Sequence, residues 1–241
     1  MRIAIISDIH SNLFALRAVL ADIYHRHADK IICLGDVVGY GPSPNECVEL
    51  IKERADICLM GNHDWAVLGN EDLAYFNTFA REAVLWTQVR MSPEAEEYLR
   101  ALPFIVIEND CTYVHSAPFE PQAWTYVLNR NDAVFQFSAL QTQLCFVGHT
   151  HAAGIFRQKN ESYEFLIENQ IYIDDQSKYI INVGSVGQPR DYDARASYGI
   201  YDREMKSFAF HRIPYDIEST QYQMQEERLP AYLVDRLSYG R

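Results

Sequence analysis

Aspartate, asparagine and histidine recur in this 241-residue chain in short blocks whose spacing suits metal ligation. Asp8 and His10 flank Ile9, Asp36 follows Gly35, and Asn62, His63 and Asp64 follow Gly61. His115 stands alone, and His149 and His151 flank Thr150 after Gly148. At the end of an extended segment, residues two apart point to the same side. A carboxylate and an imidazole of the first block, or two imidazoles of the last, therefore reach one ion. An isolated His-x-His is weak evidence, because exposed loop histidines outnumber ligands. The joint pattern is stronger, since five of the eight histidines fall in these blocks beside glycines that let side chains and backbone crowd one centre. With His115, these blocks supply seven oxygen and nitrogen side chains suited to holding two adjacent divalent ions. His25, His27 and His211 match no block and read as solvated or packed residues.

The elements that must position these residues are legible from periodicity. Arg2 to Ser7 is an unbroken apolar run, the pattern of a strand covered on both faces, and Leu13, Leu16, Leu20 and Ile23 recur at helical spacing. A second strand at Lys30 to Leu34 leads to Gly35-Asp36. Ser43-Pro44-Asn45-Glu46 then reads as a capping box for a helix through about Arg54. Asp56 to Met60 is a third strand, with helical stretches expected over Glu71 to Arg90 and Ser92 to Leu102. Asp8, Asp36 and Asn62 each fall just past a strand, which is where ligands bind in open α/β sheets. Further strands are expected at Phe104 to Glu108, Thr112 to His115, Leu144 to Val147, Tyr163 to Glu168, Gln170 to Ile173, Tyr179 to Val183, Ser197 to Tyr201 and Ser207 to Arg212. Ala117 to Leu140 reads as loop and helix over the site edge, with Trp124, Tyr126 and Phe135 available to line a pocket or to pack. The expected architecture is a mixed α/β (α+β) four-layer αββα sandwich: two mixed sheets face to face, helices outside, the metal site at the C-terminal rim of the strands. No linker divides the chain, so residues 1–241 read as one domain with a polar tail at 213–241 and a helix near Glu218 to Arg228.

Composition narrows the class. A formal net charge of -12 argues against a broad nucleic-acid surface, whose affinity rests on clustered Lys and Arg, but not against a phosphorylated substrate. No apolar run approaches the roughly 20 residues that span a bilayer, and the opening segment lacks the features of a secretory signal. Five cysteines without Cys-x-x-Cys spacing read as reduced core residues, and the expected location is the cytoplasm.

The ordered set Asp-x-His, Gly-Asp, Gly-Asn-His-Asp, a lone His and Gly-His-x-His resembles the calcineurin-like metallophosphoesterase superfamily, over residues 3 to about 200. Gly-Asp-Val-Val-Gly-Tyr-Gly-Pro and Asn-Val-Gly-Ser-Val-Gly-Gln-Pro-Arg are similar to its small bacterial and archaeal phosphodiesterase-like branch. The Asp-Arg-Gly segment of the protein Ser/Thr phosphatases is absent; Gly39, Tyr40 and Gly41 stand there. The resemblance implies that Asp8, His10 and His151 hold one ion, that Asn62, His115 and His149 hold the other, and that Asp36 bridges. It implies attack on phosphorus by a metal-bridging hydroxide, with His63 as general acid. Asp64 would orient His63 or else cap the following helix. The 182–190 turn would offer backbone amides to a phosphate oxygen, with Asn62 and Arg190 as substrate contacts, unless Arg190 pairs with Asp191 or Asp193. Mn²⁺ is the first expectation for the metals, with Fe, Ni or Zn next. The expected substrate is a small phosphate mono- or diester, such as a nucleotide. A phosphoprotein phosphatase, a nucleotide pyrophosphatase and a non-catalytic metal-stabilised binding module are the competing readings.

Overall fold

The structure, a computed structural model, describes residues 1–241, the side chain of Tyr75 excepted. The first part alternates strand and helix: β1 (Arg2–Ile6), α1 (Leu13–His25), β2 (Lys30–Cys33), α2 (Pro44–Arg54), β3 (Ile57–Cys58), α3 (Asn62–Val67), α4 (Thr78–Gln88) and α5 (Pro93–Arg100). The second is strand-rich: β4 (Ile105–Glu108), β5 (Cys111–Val114), α6 (Arg130–Ala139), β6 (Leu144–Val147), β7 (Gly154–Lys159), β8 (Ser162–Leu166), β9 (Gln170–Tyr172), β10 (Ser177–Asn182), β11 (Ala196–Asp202) and β12 (Ser207–Ile213). Two short helices follow, α7 (Ile217–Glu226) and α8 (Ala231–Asp235).

The strands form two six-stranded mixed sheets, in the orders β3-β2-β1-β11-β12-β9 and β4-β5-β6-β10-β7-β8. Strand periodicity explains the layers. Ile3 and Ile5 of β1 face the other sheet and pack with Tyr113, Phe146, Tyr179 and Ile181, whereas Ala4 and Ile6 face Leu16, Val19 and Ile51 of the helices. On the second sheet Cys145 and Val147 point outward to Ala133 and Phe137 of α6. Full burial of Ile3 or Ile5 contributes about 1.5–3 kcal/mol each by area. The result is the expected αββα sandwich, with β1, β2 and β3 parallel in one sheet and β5, β6 and β10 parallel in the other. Their C-terminal ends meet at one rim. All five cysteines are buried and free. Among the described residues no helix is long and apolar enough to cross a membrane.

Several expectations are corrected. Ser43 makes no side-chain cap to α2. The helix expected over Glu71 to Arg90 begins only at Thr78, because Asn77 accepts from the Ala80 amide at 3.0 Å and starts a new helix there. β7, unread in the sequence because its Arg157-Gln158-Lys159 end is polar, pairs with β10 and β8.

Candidate metal centre

Each predicted ligand stands where a parallel strand ends. Asp8 and His10 follow β1, Asp36 follows β2, Asn62 follows β3, His115 follows β5, and His149 and His151 follow β6. The backbone there is strained: Asp8, His10, Asp36, His149 and His151 all have φ between 48° and 66°. Left-handed conformation at a non-glycine costs about 1–3 kcal/mol and is sustained only where surrounding structure enforces it. Gly61 and Gly148 are required by close approach, since a Cβ would run into the Asp36 carboxylate at the first and the Asp8 carboxylate at the second.

The side chains converge. His10 Nε2 and His151 Nε2 are 3.0 Å apart, and His151 Nε2 lies 3.2 Å from Asp8 Oδ1. His10 Nε2 is 3.6 Å from Asp36 Oδ2, and His115 Nε2 is 3.3 Å from that same oxygen. Asn62 Oδ1 is 3.2 Å from His115 Nε2. Two ligand groups result, Asp8-His10-Asp36-His151 and Asp36-His115-His149, in each of which one donor atom per residue lies within 4.8 Å of the others. Asp36 belongs to both. Its Oδ1 accepts from the His63 amide at 2.7 Å, while its Oδ2 is buried without any hydrogen-bond partner. An orphaned carboxylate oxygen and two imidazole nitrogens facing each other, all buried, are the acceptor-rich arrangement a cation satisfies.

The far nitrogens of three rings are tied to backbone carbonyls: His10 Nδ1 to Val38 O at 3.1 Å, His151 Nδ1 to Gln188 O at 2.7 Å, and His149 Nε2 to Trp124 O at 2.9 Å. Donation to these carbonyls fixes the tautomer and turns the other nitrogen's lone pair into the site. Burial pulls His10, His149 and His151 below the usual imidazole range, His149 to about 3, which keeps them neutral as ligation requires. For His115 burial is again the largest single influence and works downward, yet the Asp36, Asp8 and Asp64 carboxylates together outweigh it and raise the imidazole to about 9. The centre attracts positive charge.

His63 and Asp64 open α3. The His63 ring is 4% exposed, its Nδ1 has no partner, and it stands 4.3 Å from the Tyr40 ring and 4.9 Å from the His10 ring. The Asp64 carboxylate makes no hydrogen bond to it. The Asp64 carboxylate accepts from the Val38 and Gly61 amides, each at 3.1 Å, in a capping box at the start of α3. The turn after β10 is also corrected. Its Val186, Gly187 and Gln188 amides donate to Ser7 O, Asp8 O and Ser185 Oγ, so they hold the β1 loop in place and are not presented to a phosphate. Arg190 pairs with neither Asp191 nor Asp193, which bind Arg212 and Arg195. It donates to Gln188 Oε1 at 2.7 Å and lies 5.5 Å from the Tyr40 ring centroid. Beside the ligands is a cavity of about 380 Å³, lined by Tyr40, His63, Phe76, Asn77, Trp124 and Tyr126 among others. The carbonyls of Val38, Gln188 and Trp124 were not foreseen, since any residue type carries one; a left-handed Trp124 (φ 52°) has no sequence signal.

The model of the calcineurin-like phosphoesterase superfamily domain matches residues 1–206. An uncharacterized protein of Methanocaldococcus jannaschii is 45% identical over 99% of this chain and 98% of its own length. A metallophosphoesterase from Sphaerobacter thermophilus is 44% identical, superposes with a TM-score of 0.87, and covers 100% of this chain and 99% of its own. A hypothetical protein of Pyrococcus horikoshii shares the fold at a TM-score of 0.79 and 18% identity, over 100% and 98% of the two chains. With these matches spanning the strands that carry every candidate ligand, the chain belongs to the calcineurin-like phosphoesterase superfamily.

Proposed function

We propose that this protein hydrolyses small phosphate esters, mono- or diesters of the nucleotide type, with two divalent metal ions of which Mn²⁺ is the first choice. The observation that carries the reading is the Asp36 carboxylate, common to both ligand groups and unpartnered at Oδ2. Asp8, His10 and His151 would hold one ion, Asn62, His115 and His149 the other, with Asp36 between. Divalent ions bound there supply positive charge to the phosphoryl oxygens and lower the pKa of water.

The chain's own groups do the rest. Tyr40, Phe76, Trp124 and Tyr126 give the cavity aromatic walls suited to a planar leaving group. Asn62 and Arg190 are the polar contacts proposed for the substrate. His63 lines the same cavity and is the group positioned to give a proton to the departing alkoxide. Burial lowers its pKa to about 4 while the Asp36 charge pulls the other way. An anionic ester in the cavity adds to that upward pull, favouring the protonated acid in the complex. Asp64 acts by pinning the Val38 and Gly61 backbone at the start of α3.

Hydrolysis of bis-p-nitrophenyl phosphate and p-nitrophenyl phosphate, with and without Mn²⁺, tests this. The expected result is turnover that requires the metal. His63→Ala should lower kcat by about 10²–10⁴ with metal content unchanged. Absence of metal-dependent turnover on either ester from pH 5 to 9 would favour the binding-module reading instead.

A further inference from the structure

The cavity beside the candidate metal centre carries one acidic side chain that the reaction does not use. Glu71 lines it together with Asn62, His63, Phe76, Asn77 and Tyr126. Glu71 and Asn77 stand in the connection between α3, which opens with Asn62 and His63, and α4. That connection is folded back on the site. Phe76 packs edge-on against the His63 ring at 5.4 Å, its amide donates to Leu73 O at 3.2 Å, and Asp72 accepts from the Ala74 amide at 2.9 Å. From the segment before α6, Tyr126 stacks one face on the His149 ring at 4.0 Å and 16° and is 47% exposed, so its other face is free to meet a planar group.

The polar groups on these walls are of defined kinds. Glu71 is half-buried, and among the described residues its carboxylate has no hydrogen-bond or ion-pair partner, unlike that of Asp72 beside it. A carboxylate only accepts, through two oxygens side by side. Asn77 spends its Oδ1 on the Ala80 amide at 3.0 Å, which leaves its Nδ2 as a donor. An aromatic-walled cavity of about 380 Å³ with a paired acceptor and a donor fits a nucleobase better than a second phosphoryl group, which the Glu71 charge would repel. Among the bases guanine alone sets two N–H donors, at N1 and N2, side by side next to a carbonyl acceptor, O6. Adenine gives the carboxylate a single N–H group and leaves its second oxygen without a partner, which costs affinity in a partly desolvated site.

We propose that Glu71 and Asn77 select guanine in the nucleoside part of the substrate, the Glu71 carboxylate accepting from N1–H and N2–H while Asn77 Nδ2 donates to O6. This rests on the phosphoesterase reading above. In Mn²⁺-loaded protein, kcat/KM for GMP should exceed that for AMP by about 10-fold or more, with IMP, which lacks the N2 amino group, between them. Glu71→Gln turns an N–H toward the guanine donors. It should lower kcat/KM for GMP by about 10-fold more than that for p-nitrophenyl phosphate, and erase or reverse the preference over AMP. Calorimetry on the same protein with the guanosine and adenosine 5′-methylenephosphonates, in which carbon replaces the ester oxygen, supplies a readout independent of turnover. The parent should bind the guanosine compound about 10-fold more tightly, and Glu71→Gln should abolish the difference. Equal affinity of the parent for the two compounds, a difference that survives Glu71→Gln, or tighter binding of phosphocholine than of the guanosine compound would overturn the base site. If the parent discriminates between the two phosphonates but hydrolyses no ester, the phosphoesterase reading fails and the base site stands. If it hydrolyses p-nitrophenyl phosphate and does not discriminate, the reverse holds.

Discussion

At Asp36 a single carboxylate serves two purposes that explain its buried, left-handed placement. Oδ1 takes the His63 amide and so fixes the start of α3, and Oδ2 is left for a cation. Burial alone would raise its pKa, but His115 and the neighbouring imidazoles hold it well below the usual carboxylate range, so it remains anionic. Asp36→Asn keeps the size and removes the charge. Elemental analysis of the purified variant should show both ions lost or loosened together, and retention of one at full occupancy would reject the shared role. The candidate ligand residues could be picked out in the sequence because metal ligation restricts residue type, and the structure brings them together. The carbonyls that orient their rings were not, because Val38, Gln188 and Trp124 contribute only backbone, and backbone position is set by tertiary packing. Asp64 illustrates the limit from the other side: its type fits a catalytic partner or a cap equally, and only the contacts to Val38 and Gly61 separate the two.

The elements around the site are tied to one another by a few buried polar side chains. Asn12 caps α1 by accepting from the Ala15 amide at 3.1 Å, donates to Gly187 O at 2.9 Å, and accepts from Thr220 Oγ1 of α7 at 3.2 Å. One amide therefore joins α1, the turn after β10 and the tail helix. Asn12→Ala removes the cap and orphans a buried carbonyl, which should destabilise the fold by about 2 kcal/mol in urea denaturation. A change below about 0.5 kcal/mol would contradict that linking role. Where α1 meets β12, His211 packs 5.1 Å from the Tyr198 ring, close to Asp22, Arg26 and Arg2. Burial first, then Arg26, lowers it to about 4 in the folded state, against about 6.5 unfolded. A depressed folded pKa means that its contribution is complete above about pH 6.5 and is lost as pH falls toward 4. His211→Gln should flatten the decline of the thermal midpoint across that window; an unaltered decline would remove His211 as its cause. Helix ends were harder to read than helices themselves. Ser43 looks like a cap but leaves the role unfilled, and Asn77 divides a stretch whose apolar period runs on through it.

For the whole molecule, the two-sheet sandwich was legible because unbroken apolar strands with interposed helices demand parallel pairing and cover on both faces. The pairing itself was not. β1 lies between β2 and β11, almost the full length of the chain away, and nothing local announces such a neighbour. That long-range closure is what gathers the candidate site, since its residues come from five strand ends distributed over both sheets. Asp8, Asp36 and Asn62 end strands of one sheet, and His115, His149 and His151 end strands of the other. The centre is thus a product of the sandwich and not of any one motif. Its most direct test is anomalous diffraction from crystals saturated with Mn²⁺. Two peaks about 3.5–4 Å apart, with the Asp36 carboxylate between them, are expected. A single peak, or a pair that does not share Asp36, would contradict the account.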